Sequence, residues 1–231
     1  MDDPVGQHTL EVMSQAQHYN SWLFNMIKPW LKGSVAEVGA GVGNFVGFFL
    51  KSQLTITAID INPTYLQRLS RTHQKVTTFQ FDLESSSVPT SLLNRFDTVV
   101  SLNVLEHLPN ISRALKNISA MLKPGGLAII LVPTFNFAYS PLDKNLGHVK
   151  RYSIGQIRDL TNRAGFQEIK SFYINPIGLL GWFIIGKILK RGTIPPTSVR
   201  IFDMVFRPVL WLEKYLHFPF GLSLITVVQK S

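Results

Sequence analysis

Val35-Ala-Glu-Val-Gly39-Ala-Gly41-Val-Gly43-Asn44-Phe45 runs from a β-branched strand through three alternating glycines into an amphipathic stretch. A strand, a glycine-rich turn and a helix in that order belong to βαβ units, whose parallel strands open a ligand crevice at their C-terminal tips. Glycine permits positive φ and close backbone approach, and the start of a helix offers unpaired N–H groups to something polar. A dinucleotide fingerprint would put its third glycine at position 44. Asn44 stands there instead, which disfavours NAD and FAD.

Working outward, short β-rich runs alternate with amphipathic ones, the pattern of an α/β fold with a doubly wound, mostly parallel sheet. The predicted strands are 34–38, 54–59, 77–81, 98–102, 127–132, 167–174 and 223–228, seven in all. Helices are predicted over 44–52, 63–73, 111–122 and 154–164, the last two stopped by Pro124-Gly125-Gly126 and Gly165. In front of the sheet, residues 8–31 read as a helix or helix pair, within a helical cap spanning 1–33. Behind it, residues 175–222 interrupt the alternation as an apolar and basic helical insertion before the last strand. The whole chain, 1–231, reads as one domain with these two embellishments.

The chain has no cysteine, which excludes disulfides, thiolate metal sites and cysteine nucleophiles, and no metal ligands are assigned. A cytoplasmic location is expected, since the first residues lack a basic stretch followed by an apolar run. Residues 1–143 carry ten Lys/Arg and ten Asp/Glu, whereas 144–231 carry thirteen against four, so all of the net charge of +9 comes from the last part. Such a surface suits anionic partners, or is simply a solvated basic face. Within the insertion, the apolar run 177–189 has thirteen residues and includes Lys187, too short to span a bilayer. Its lack of a polar face makes burial against protein the first expectation, with a dimer contact or peripheral membrane contact as the other readings.

Beyond the glycine turn, Asp60 ends the second predicted strand, 17 residues after Gly43, near the spacing at which a carboxylate meets a ribose diol. Asp82 ends the third. Each has a plainer reading, Asp60 as a cap for the helix over 63–73 and Asp82 as ordinary loop chemistry. In order along the chain follow Phe96-Asp-Thr-Val-Val-Ser-Leu-Asn-Val-Leu-Glu-His-Leu108 and Leu122-Lys-Pro-Gly-Gly126.

Taken together, these five segments resemble the motifs of class I S-adenosylmethionine-dependent methyltransferases, over nearly the whole chain. The resemblance implies a Rossmann-like, seven-stranded sheet with its last strand antiparallel, and S-adenosylmethionine as cofactor with S-adenosylhomocysteine as product. It implies cofactor contacts from the first strand tip through Glu37, Gly39, Ala40, Gly41 and Gly43, from the second through Asp60 and Ile61, and from the third through Asp82 and Leu83. Asn103, Val104 and His107 are the candidates after strand four, and Tyr19 the candidate from the cap. Leu146-Gly-His-Val-Lys-Arg-Tyr-Ser153 is similar to segments of small-molecule, lipid or saccharide methyltransferases. There His148 is the candidate base for a hydroxyl acceptor and Tyr152 a positioning group.

A hydrophobic, lipid-linked or anionic small molecule is the expected acceptor, most simply O-methylated, by a monomer or homodimer. DNA bases are disfavoured: the cysteine route to C5-methylcytosine is closed, and Ser101-Leu-Asn-Val stands where Asn-Pro-Pro-Tyr would be. Nucleic acid as a whole is disfavoured because the basic residues are interleaved with apolar runs, although RNA methylation stays an alternative. So does a non-catalytic protein that keeps the cofactor fold for interaction.

Overall fold

The computed structural model describes residues 10–193, 203, 204, 213 and 218–231. One seven-stranded sheet organises them, ordered β3-β2-β1-β4-β5-β7-β6. Its strands are β1 (Ser34–Val38), β2 (Thr55–Asp60), β3 (Thr77–Gln80), β4 (Phe96–Leu102), β5 (Leu122–Pro133), β6 (Phe166–Ile174) and β7 (Ser223–Lys230). Neighbours from β3 through β5 pair in parallel, and β7 runs antiparallel to both β5 and β6. The order reverses between β1 and β4, and there the strand tips leave the crevice.

Helices cover both faces. These are α1 (Gln17–Ile27), α2 (Val46–Lys51), α3 (Pro63–Thr72), α4 (Ile111–Met121), α5 (Pro141–Asn145), α6 (Ile154–Arg163) and α7 (Pro176–Trp182), and α7 continues into a π-helical turn, Phe183–Ile188. Two apolar clusters divide the sheet faces between them. Leu23, Ile27, Phe49 and Leu69 join one side, and Leu92, Leu115, Ile118 and Ile157 the other. The strands between are apolar on both faces, as a parallel sheet sandwiched by helices requires.

The predicted strands and the first four inter-strand helices appear within a few residues of their expected bounds, with two instructive differences. Strand β5 begins at Leu122, not 127, because Leu122 already pairs with Phe96 before the register jumps to Thr98–Leu127. The Lys-Pro-Gly-Gly segment is therefore a bulge inside a strand, and Gly125 (φ 71°) supplies its left-handed residue. The second difference concerns the apolar run of the insertion. Pro176 and Leu179 are buried, but Leu180, Ile184, Ile188 and Leu189 are exposed, 61%, 48%, 62% and 54% respectively. Expected burial thus holds for only one flank of that run. No helix among the described residues is long and apolar enough to cross a membrane. Of the helical insertion expected over 175–222, residues 194–202, 205–212 and 214–217 lie outside the described residues.

Candidate active site

At the crevice, Gly39, Gly41 and Gly43 all have positive φ, 67°, 53° and 84°. A Cβ on Gly39 would come within 2.4 Å of Val104 Cγ2, so the turn is glycine for contact as well as for conformation. Asp60, from the β2 tip, accepts a hydrogen bond from the Gly41 amide at 2.8 Å and another from Asn62 at 2.8 Å. It is not the cap of α3. That role belongs to Asn62, whose side chain accepts from Thr64 N–H, so Asp60 is left to tie the second strand tip to the glycine turn. Glu37, one strand over, is 3% exposed, and its Oε2 has no hydrogen-bond partner among the described residues. Burial, with the nearby Asp60 charge adding to it, pushes its carboxyl up to about 8. Of the two side chains, Glu37 alone keeps a buried oxygen without a hydrogen-bond partner among the described residues, because both Asp60 oxygens are engaged.

Around the same mouth, Gly39, Ile61, Asn103 and His107 are exposed and Asp82 and Val104 half-buried, while Ala40 and Gly41 form the floor. Asn103 takes φ 53° and donates its backbone N–H to the Leu131 carbonyl, which turns the chain out at the β4 tip. Asp82 closes a local turn by accepting from Glu84 N–H, the geometry of the plainer of its two readings. Leu83 is a core residue and does not line the opening, because it packs with Leu92 and Ile118 under the sheet. Tyr19 sits among Trp22, Glu213 and Asn175, the residue that follows the β6 tip, and its backbone N–H donates to Asp203.

A second polar cluster sits beyond β4 and β5. Asp143, fully buried in α5, accepts from His148 Nδ1 at 2.9 Å and from Arg151 Nε at 2.8 Å through Oδ1. Its Oδ2 accepts from the Ser140 amide and from the Trp182 indole N–H at 3.1 Å. Although burial works the other way, the bonds from His148 and Arg151 hold the Asp143 carboxyl below the usual carboxylate range. A carboxylate only accepts, so the hydrogen of the neutral His148 ring sits on Nδ1 and Nε2 presents its lone pair. That Nε2 lies 4.0 Å from Glu106 Oε1, and the rings of His148 and His107 meet edge to face at 4.9 Å. The two loops are stitched by Val149 N–H donating to the Glu106 carbonyl.

One residue here was not singled out from the sequence, and one expectation changes. Glu106 is 0% exposed and neither carboxyl oxygen has a hydrogen-bond partner among the described residues. Burial pushes it up to about 8 in spite of the Arg151 charge. Tyr152, the expected positioning group, is 1% exposed, and its hydroxyl donates to the Leu105 carbonyl at 3.4 Å. Burial pushes that phenol up to about 12, so it stays protonated under the loop and does not face an acceptor. Asp143 escaped sequence reading because Ser140-Pro-Leu-Asp143 has the S-x-x-D form of a helix-capping box. It does cap α5, and its remaining acceptor capacity binds His148, Arg151 and Trp182.

Among α/β folds this strand order is diagnostic of one class. A sheet running 3-2-1-4-5-7-6 with β7 alone reversed is the architecture of class I S-adenosylmethionine-dependent methyltransferases. The chain belongs to the methyltransferase domain family, which matches residues 21–171. An S-adenosylmethionine-dependent methyltransferase from Mesorhizobium loti superposes with a TM-score of 0.62 at 16% identity, covering 90% of this chain and 98% of that one, a likeness of fold alone. The ubiquinone biosynthesis O-methyltransferase of Coxiella burnetii is 28% identical over 110 residues, 46% of this chain and 47% of that protein. The enzyme of the same name from Xanthomonas euvesicatoria pv. vesicatoria is 32% identical over 95 residues, 40% of this chain and 39% of that protein. The chain thus spans less than half the length of these curated relatives.

The cofactor of the family is S-adenosylmethionine. The site fits it: Glu37 leaves a buried acceptor oxygen unused, and Gly39 keeps the turn open where a side chain would close it.

Proposed function

We propose that the protein transfers the methyl group of S-adenosylmethionine to a hydroxyl oxygen of a hydrophobic, lipid-linked or anionic small molecule. The observation that carries the acceptor side is the Asp143–His148 pair, which fixes an imidazole with its Nε2 lone pair beside His107, on the side of β4 where the crevice opens. The names of the two curated relatives, both O-methyltransferases, support an oxygen acceptor. In this reading Glu37, Asp60 and the Gly39–Gly43 turn hold the cofactor, with Asp82, Ile61, Asn103 and Val104 around it. Alignment of acceptor and methyl group supplies most of the rate, and the hydroxyl proton leaves at the His148 end. Tyr152 acts as a strut that keeps the His148 loop in place.

The exposed apolar flank Leu180, Ile184, Ile188 and Leu189, set among exposed Lys187, Lys190 and Arg191, suits a hydrophobic acceptor met at an anionic membrane surface.

Incubation of the purified chain with labelled cofactor and a panel of phenols, diols and prenylated hydroxy compounds tests the function. A +14 Da product bearing the label on oxygen is expected. His148→Ala should retain S-adenosylhomocysteine binding while turnover falls by about 10²–10⁴-fold, whereas Asp60→Ala should lose the binding itself. Unchanged turnover in His148→Ala removes that residue from the reaction, and a product labelled only on nitrogen or carbon overturns the oxygen acceptor.

A further inference from the structure

Glu106, His107 and His148 each bring one ligating atom into a single cluster, and these atoms all lie within 4.8 Å of one another. We propose that the three residues form a site for a first-row divalent metal ion of the zinc type, placed to bind the acceptor oxygen. The inference rests on the O-methyl transfer reading for the purpose of the ion, and on geometry alone for its existence.

Four features of the cluster converge on a cation. First, Glu106 is entirely buried and neither of its carboxyl oxygens has a hydrogen-bond partner among the described residues, which leaves two acceptors that meet no protein donor. Its nearest basic atom, His148 Nε2, stands at 4.0 Å, too far for a hydrogen bond and close enough to share an ion. Second, two imidazoles and one carboxylate are the donor set of open catalytic sites that leave coordination positions for substrate. Third, His148 gives its other ring N–H to Asp143, the outer carboxylate that metal-bound histidines characteristically have and that fixes which nitrogen faces the metal. Fourth, His107 is exposed where the other two are not, so the cluster has an open side toward solvent and substrate.

A hydrogen-bonded pin between two loops would explain His148 and Asp143 but leaves the Glu106 oxygens empty. Ligand atoms around a tetrahedral ion stand roughly 3.3 Å apart, so no pair in the cluster has to close by more than about 1.5 Å. His107 carries the exposed side chain of the three. Gly147, at φ 77°, supplies the left-handed residue of the His148 loop.

With an ion in place, His148 serves as a ligand rather than as the proton acceptor. The acceptor hydroxyl becomes more acidic beside the charge and its proton departs to solvent. The oxygen then forms its bond to the methyl carbon as the carbon–sulfur bond breaks, and the cofactor leaves as the neutral thioether.

Equilibrium dialysis of the tag-free, chelator-stripped full chain against Zn²⁺, Mn²⁺ and Mg²⁺, read by atomic emission, tests the site without any acceptor present. About one Zn²⁺ per chain is expected, with Mg²⁺ bound far more weakly because two of the donors are imidazoles. Asp143→Asn should weaken Zn²⁺ binding by about 10–100-fold, and His107→Gln combined with His148→Gln should abolish it. His107→Gln alone, at an exposed position, is the variant least exposed to loss of folding, and its thermal melt is recorded alongside. Absence of stoichiometric zinc, or zinc retained in the double variant, overturns the proposal. Zinc bound as expected while no hydroxyl compound is methylated would sink the O-methyl reading and leave the metal site standing.

Discussion

Glu37 and Glu106 are two glutamates of opposite legibility. Glu37 sits in the quoted strand, where a short β-branched run and the glycines after it announce a strand tip, and its place beside the crevice was readable from order alone. Glu106 follows β4 in a stretch that looks like any polar helix start. Its burial comes from Val149, 43 positions later, whose N–H pairs with the Glu106 carbonyl and closes the His148 loop over it. No local pattern carries that information. For Glu37 a pH effect follows. Its carboxyl titrates near 4.5 in the unfolded chain and about 8 when buried, so the folded protein holds a proton that the unfolded chain releases between those values. Folding stability contributed by the protonated group is therefore intact below about pH 4.5 and declines as pH rises through 8. Glu37→Gln should melt with the wild type near pH 5 and above it at pH 8–9, by roughly 2–4 °C for each kcal/mol relieved. Thermal melts of ligand-free protein at both values check this, and coincident melts at pH 9 would show Glu37 to be solvated.

At the level of elements, the β1–turn–α2 unit was legible because each of its requirements is local: β-branched residues, glycines at the positive-φ positions, and a helix start. Gly39→Ala tests the unit. It forces a Cβ into a left-handed backbone and against Val104 Cγ2, costing on the order of 1–2 kcal/mol of stability and about tenfold or more in S-adenosylhomocysteine affinity. Adding Val104→Ala relieves the contact but not the backbone strain, so the double variant should recover stability only in part; full recovery in a calorimetric melt would mean φ is not constraining. By contrast, α7 and the turn after it were misjudged. An all-apolar run has no polar stripe to say which flank faces outward, so periodicity could place Leu179 and Leu180 on a helix without telling the buried from the exposed.

Over the whole molecule, the charge asymmetry visible in the sequence has a partial structural counterpart. Lys187, Lys190 and Arg191 stand exposed around the apolar flank of the insertion, and the remaining basic residues of 194–202 and 205–217 lie outside the described residues. If that flank meets anionic lipid, replacing the three basic residues with glutamate should reduce partition into phosphatidylglycerol-containing vesicles by on the order of 100-fold or more. Pure phosphatidylcholine vesicles should show little difference. Equal co-sedimentation of wild type and variant with the anionic vesicles would assign the flank to another purpose. Seven strands in a mostly parallel sheet were legible because βαβ units alternate along the chain and their crossovers are right-handed. The antiparallel direction of β7 came only from the family resemblance, and its place between β5 and β6 is a finding of the structure.

Trp182 belongs to the insertion, yet its indole N–H completes the second oxygen of Asp143 while its ring lies 4.8 Å beneath the Arg151 guanidinium. The insertion and the proposed reaction centre therefore share a joint. Anything that steadies the insertion narrows the wandering of the carboxylate that aims the imidazole, and linkage makes the dependence mutual: a filled centre must tighten the grip of the periphery by the same factor.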